Sequence, residues 1–250
     1  MHNAEPSGHP QNARGVAETW GEHNLYCPNC PSPRLTRPAQ NSAPGDFSCP
    51  DCGFQFQLKG QKMRFSSDIA DGVYATTLRA VKNNDAPGFF FVHYDLPTWT
   101  VRDVLLVPGF AIPPSAITKR KSGASCNITL SRIPLDARIP IVTTIKASRS
   151  GDTECIMISR MEEVRAKFKR LTPLADIASG QRALALDVLN IIRRLKKTEF
   201  TSADFYPFEH ELKKLHAGQR NLRDKIRRQL QVLRSAGFLI QPARGLWQLK

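Results

Sequence analysis

Two Cys-x-x-Cys pairs, Cys27-Pro-Asn-Cys30 and Cys49-Pro-Asp-Cys52, constrain this chain more than any other feature. Their spacing can bring four thiolates around one Zn²⁺ in a closed tetrahedral site. Disulfides are the alternative in a secreted chain. Against that, Cys126 and Cys155 are isolated in sequence, and Met1-His2-Asn3-Ala4-Glu5 shows no basic run ahead of an apolar core. No secretory leader is therefore expected, and a reducing cytoplasmic setting follows. The expected zinc ligands are Cys27, Cys30, Cys49 and Cys52. With four thiolates no coordination position stays open, so such an ion would hold the fold and take no part in chemistry.

Charge points to the partner. The 250 residues carry 36 Lys+Arg against 22 Asp+Glu, a formal net charge of +14. Such a field concentrates polyanions, and nucleic acid is the expected ligand. Residues 179–250 alone hold 15 basic and 6 acidic side chains, so the C-terminal part is the stronger electrostatic anchor. No apolar run reaches the roughly 20 residues that cross a bilayer, and no membrane partner is expected.

Residues 1–24, polar and broken by Gly and Pro, read as a flexible N-terminal arm. The proline-rich stretch from Pro31 to Gly45 links the two cysteine pairs, and Asp46–Ser48 and Gly53–Lys59 read as short strands around the second. Ser66–Lys82 has near-helical apolar spacing behind a Ser-Ser-Asp cap. Phe89–Tyr94, Val101–Val107, Ile128–Leu130 and Ile139–Ile145 read as strands, and Ser159–Leu171 as a basic amphipathic helix. After Pro173 come three helices, 180–197, 202–215 and one marked by Leu222, Ile226, Leu230 and Leu233. A hairpin with a Gly-containing turn ends the chain. Three helices followed by a hairpin is the order of a winged helix-turn-helix. The expected organisation is an α+β (α/β) domain over 25–178 and a winged-helix DNA-binding domain over 179–250.

Asp46 followed by Gln57-Leu58-Lys59 has the spacing of a Mg²⁺-dependent phosphodiesterase core. Side chains two apart on a strand share a face, so Gln57 and Lys59 point together while Phe54, Phe56 and Leu58 face the other way. Mg²⁺ takes oxygen ligands, which Asp46 and Gln57 supply, and a lysine can orient the nucleophile. Alone, the pattern is weakly specific, because a solvated strand face produces it too.

The run Asp46-Phe-Ser-Cys-Pro-Asp-Cys-Gly-Phe-Gln-Phe-Gln-Leu-Lys59 resembles the core of the Dam-replacing protein family, the DpnI-type restriction endonucleases acting on methylated DNA. Phe65–Thr76 resembles the helix after that core, and Tyr26–Cys30, Phe89–Phe91, Cys126–Leu130 and Lys225–Leu233 extend the likeness over about residues 25–250. The resemblance implies a PD-(D/E)xK nuclease core with an embedded four-cysteine zinc site, then a methyl-reading winged helix, cutting both strands at N6-methyladenine GATC sites. It implies Asp46 and Gln57 as Mg²⁺ ligands, with the Leu58 carbonyl completing the set, and Lys59 as the positioning base. This chain departs from the family in carrying Gln57 where Glu is usual. It also has a shorter Lys119–Ser125 loop without an aromatic residue.

On the third C-terminal helix, Arg to guanine and Asn or Gln to adenine are the favoured pairings near the N-terminus. Gln219, Arg220, Asn221 and Arg223 are the expected base contacts; Lys225, Arg227 and Arg228, with Arg244 at the wing tip, are expected at phosphates or the minor groove. The reading is a Mg²⁺-dependent, methyl-directed type II endonuclease of double-stranded, adenine-methylated DNA, with a monomer as one state it could act in. Its alternative is a zinc-stapled winged-helix regulator that does not cleave.

Overall fold

The computed structural model describes residues 10–38, 45–65, 68–121, 123–146, 154–219 and 221–250. In chain order the helices are α1 (Pro10–Asn24), α2 (Tyr74–Asn83), α3 (Met161–Leu171), α4 (Ser179–Leu195), α5 (Glu209–Leu215) and α6 (Leu222–Ser235). The strands are β1 (Phe47–Ser48), β2 (Gln55–Gln61), β3 (Asp68–Val73), β4 (Gly88–Tyr94), β5 (Val101–Val107), β6 (Ile117–Lys119), β7 (Ser125–Thr129), β8 (Ile139–Lys146), β9 (Glu154–Ile158), β10 (Glu199–Thr201), β11 (Leu239–Ala243) and β12 (Leu246–Leu249). The chain divides into two compact units that interleave in sequence: 1–66, 87–108 and 139–169, then 67–86, 109–138 and 170–250.

The first unit is built on a six-stranded sheet in the order β1-β2-β4-β5-β8-β9. β2 and β4 run parallel, pairing Phe56 with Gly88 and Lys59 with Phe91, while the other neighbours are antiparallel. Phe56, Phe89, Phe90, Phe91 and Leu106 are completely buried or nearly so. Gly88 is needed at the β2–β4 contact: a Cβ there would sit 2.7 Å from the Phe56 ring.

The arm expected over 1–24 is corrected for residues 10–24, which form α1; residues 1–9 lie outside the described residues. The helix buries Ala17 and Gly21 and leads into buried Leu25. A Cβ on Gly21 would meet Phe47 at 2.9 Å and Leu58 at 3.0 Å, so this small residue lets the helix lie close on β1 and β2. A contact face of small residues carries little hydrophobic signal, which is why the sequence reads as an arm.

In the second unit α4 is buried along most of its length, including Leu184, Leu186, Val188, Leu189 and Ile192. Polar groups buried with it are paired: Arg182 donates to the Val81 carbonyl, and Asp187 accepts from Ser115 Oγ and pairs with His216 Nε2 at 2.8 Å. The helix expected over 66–82 is corrected as well. Asp68–Val73 is strand β3, in which Ile69 pairs with Ile128, and helix begins only at Tyr74. Ser66 and Ser67, expected as part of its cap, lie outside the described residues. The four-residue gap from Ile69 to Val73 imitates helical spacing, but Val73 is half exposed and only Ile69 enters the core.

The C-terminal helices and hairpin follow the expected order, with a break in the second helix. Ser202–Phe208 is 3₁₀, capped reciprocally by Thr201 and Asp204, and α5 follows it. β10, β12 and β11 form the wing sheet, with Phe200 opposite Trp247. Trp247 is buried beneath the wing. Leu222, Ile226, Leu230 and Leu233 are all buried on α6.

Candidate active site and nucleic-acid interface

The four knuckle cysteines come together as their spacing requires. Their sulfurs all lie within 4.8 Å of one another, with Cys27–Cys52 at 3.7 Å and Cys30–Cys49 at 3.4 Å. A tetrahedral zinc with Zn–S near 2.3 Å needs sulfur separations of roughly 3.8 Å, so the cluster fits one metal ion. None of the six cysteines is in a disulfide. Burial pushes the Cys27 thiol up. Burial also acts to raise the Cys49 thiol, but backbone N–H groups of Cys52 and Asp51 and the adjoining sulfurs outweigh it and bring it down to about 7.

Helix α3 anchors this knuckle. Arg165 donates to the carbonyls of Cys27 and Ser32 at 3.1 and 2.9 Å and lies over the Tyr26 ring. Burial pushes the Tyr26 phenol up to about 12.

The knuckle is also the turn between β1 and β2. Cys49 N–H donates to the Phe54 carbonyl, and Gly53, at φ +71, closes the bend. The register Phe47–Phe56 and Ser48–Gln55 puts Asp46 opposite Gln57. Asp46 Oδ2 accepts the Leu58 N–H at 2.9 Å. On an antiparallel strand a residue's N–H and C=O leave on the same side. The Leu58 carbonyl therefore faces the edge where Asp46 sits. Lys59 follows on the Gln57 face, opposite to Phe56 and Leu58, and both Gln57 and Lys59 are half-buried.

The Asp46 carboxylate thus lies across the hairpin from the Gln57 amide, with Lys59 two residues along β2. Hard divalent cations take such donors. The donor set carries one formal negative charge, because Gln57 contributes none.

Two residues at this edge escaped the sequence reading. Arg14 on α1 donates to Asp46 Oδ1 at 3.0 Å and pairs with Glu18 one turn on. These two carboxylates, Glu18 first, hold the Arg14 guanidinium above its ordinary pKa. The i, i+4 spacing of Arg14 and Glu18 was the available signal, but it marks any exposed helix face.

In the second unit, α6 presents its basic residues away from its buried stripe. Arg223, Arg227 and Arg228 are exposed, Lys225 is half-buried, and Arg244 is exposed beside Gly245 at the wing turn. Arg220 lies outside the described residues. Asn221 begins the helix in left-handed conformation, φ +55. The Gln219 side-chain oxygen is buried and has no hydrogen-bond partner among the described residues. Arg223 is held rather than loose: it pairs with Glu209 at 2.9 Å and stacks over Tyr206 at 4.3 Å. These groups line a cleft of about 450 Å³ at the start of α6. Neither Tyr206 nor Glu209 carries a local sequence signal, since both come from the preceding segment.

Comparison with known families matches residues 3–167 to the Dam-replacing family and residues 180–249 to the Dam-replacing HTH domain. The chain belongs to the Dam-replacing family. The family is one of DpnI-type nucleases acting on DNA, and the C-terminal Dam-replacing match marks a helix-turn-helix domain on this chain. Family match and packing divide the molecule differently, because segments 67–86 and 109–138 belong to the Dam-replacing match yet pack with residues 170–250. Among the described residues, no helix is long and apolar enough to cross a membrane.

Proposed function

We propose that this chain is a methyl-directed type II restriction endonuclease that hydrolyses both strands of duplex DNA at N6-methyladenine GATC sites. The observation that carries this reading is the opposition of Asp46 and Gln57 across the β1–β2 turn, with the Leu58 carbonyl on the same edge. Within a nuclease family, that donor set is where a divalent cation belongs.

In this PD-(D/E)xK reading Asp46, the Gln57 amide oxygen and the Leu58 carbonyl would hold Mg²⁺. Such an ion would supply Lewis acidity and neutralise charge developing on the phosphate. Lys59 positions the attacking water, and its ammonium adds positive charge beside the phosphate. Arg14 would compete with such an ion for Asp46. Cys27, Cys30, Cys49 and Cys52 hold Zn²⁺, which fixes the turn and thereby the spacing of Asp46 from Gln57.

The winged-helix domain over 179–250 reads the duplex. Gln219, Arg220, Asn221 and Arg223 meet base edges, and Lys225, Arg227, Arg228 and Arg244 meet phosphates. Glu209 and Tyr206 restrain Arg223, so its fork needs less ordering on binding. The protein acts in the cytoplasm.

One observation favours the other reading, a regulator that binds without cleaving. Asp46 is already paired with Arg14, and Gln57 adds no charge to compete for a cation. Digestion of methylated and unmethylated forms of one plasmid with Mg²⁺ separates the two. Cuts confined to methylated GATC sites support the endonuclease, whereas binding without cuts supports the regulator.

A further inference from the structure

The turn between β4 and β5 holds its aromatic residue, Trp99, in the left-handed region. Among the described residues, four other than glycine have positive φ: Asn84, Trp99, Lys196 and Asn221. Asn84 and Lys196 end helices and Asn221 begins one. Trp99, at φ +54, lies at no helix end. For a bulky side chain this region is an outlier, and such outliers cluster at ligand-contacting sites.

The turn is well pinned. Asp95 accepts from the Thr98 N–H at 3.2 Å and the Thr98 hydroxyl at 2.6 Å, and Asp95 N–H donates to the Thr100 carbonyl. The Trp99 ring stacks on Tyr94 with centroids 5.4 Å apart and planes 10° from parallel. Tyr94 in turn rests where Gly60 has no side chain, since a Cβ there would lie 3.3 Å from the Tyr94 ring and 3.5 Å from Ala17. Gly60, Tyr94 and Trp99 thus form a stacked platform rising from β2 immediately after Lys59. Leu96 at the tip is 39% exposed, with Pro97 and Thr98 exposed beside it.

Location decides what the platform meets. β2 and β4 are parallel, so the end of β4 that carries the turn lies at the same end of the sheet as Lys59, Gly60 and Gln61. The first turns of α1 are there too, because Ala17 packs against Gly60 and Arg14 lies one turn earlier. An apolar tip beside basic side chains, in a protein of charge +14 from a DNA-acting family, suits a nucleic-acid groove rather than an apolar protein face. Aromatic rings stack on any base, and apolar tips wedge between base steps.

We propose that the Leu96–Trp99 turn is a DNA-contacting element of the first unit, inserting into the duplex groove beside the scissile phosphate so that the Trp99 ring covers a nucleotide next to the cleavage site. The inference rests on the nuclease reading for which phosphate is nearest, but not for the contact itself.

The test uses the full chain in Ca²⁺ without Mg²⁺, so that binding is read without cleavage. Adenine-methylated GATC duplexes carry 5-iodouracil at successive positions on either side of the site and are irradiated after binding. The proposal expects crosslinks to map to residues 94–100 and to vanish in Trp99→Ala. Affinity of that variant should fall at least tenfold, and Trp99→Phe should recover most of it. Trp99→Gly, which relieves the backbone, should melt no lower than Trp99→Ala while binding as weakly. Crosslinks confined to other segments, or affinity within twofold in Trp99→Ala, would overturn it. So would a melting temperature of Trp99→Phe reduced along with its affinity, since the turn would then serve folding. Failure of the nuclease reading looks different: methylated duplex would be bound but left uncut by the wild type in Mg²⁺, whatever Trp99 does.

Discussion

Asp46 and Leu58 are joined by a 2.9 Å hydrogen bond from the Leu58 N–H to the Asp46 carboxylate. It ties the carboxylate to the strand that carries Gln57 and Lys59, and it aligns the Leu58 carbonyl with the same edge. The zinc-type knuckle closes the turn between them, so loss of metal at the cysteines should be felt at Asp46.

Removing the charge of Arg14 should make the site more receptive to a divalent ion. The pair is exposed on the arginine side, with side-chain exposures of 72% and 17%, so it is worth only about 0.2–1 kcal/mol. Arg14→Ala should therefore tighten Ca²⁺ binding by about 1.4- to 5-fold in a calorimetric titration. Unchanged or weaker binding would show that Arg14 does not compete for Asp46.

Gln57→Glu adds a formal charge opposite Asp46. Ion affinity rises with the charge of its ligands, so Ca²⁺ or Mn²⁺ should bind about tenfold tighter, near 1.4 kcal/mol. If affinity does not change, the residue 57 side chain is not a ligand.

The cysteine cluster predicts stoichiometric zinc. Cys30→Ser should lose the metal and lower the melting temperature sharply, because ligand binding free energy is folding free energy here. A folded wild-type protein purified without zinc would contradict the assignment.

Helix α6 is carried by the segment capped at Thr201 and Asp204. Lys197 first, then the Thr201 backbone and hydroxyl, hold the Asp204 carboxyl below the usual carboxylate range. A carboxyl lowered by folding stabilises the protein above its ordinary pKa, near 4, and that contribution is lost as pH falls through its folded value. Asp204→Asn should cost about 1 kcal/mol at pH 7. Its thermal denaturation should match the wild type's progressively more closely below about pH 4. A gap that persists at about pH 3 would mean the cap does not depend on charge.

Much of this was legible because particular residues announce themselves. The cysteine spacing, the Leu222–Leu233 stripe and the alternation of Phe56, Gln57, Leu58 and Lys59 each need only local rules. Helix α1 was hidden because its contact face is Ala17 and Gly21, small residues chosen for closeness rather than apolar area. β3 was hidden because its pairing with β7 is a long-range fact, Ile69 against Ile128. The site shows the same divide. Asp46, Gln57 and Lys59 lie in one hairpin, whereas Arg14 meets Asp46 across 32 residues and Glu209 meets Arg223 across the turn between two helices.

Cleavage and binding by Lys59→Ala, compared with wild type on one adenine-methylated GATC duplex, test the central claim most directly. With Mg²⁺ the variant should cut at least about 100-fold more slowly, while its affinity in Ca²⁺ stays within about twofold of wild type. Undiminished cleavage by Lys59→Ala would place the chemistry elsewhere and contradict the site built around Asp46 and Gln57.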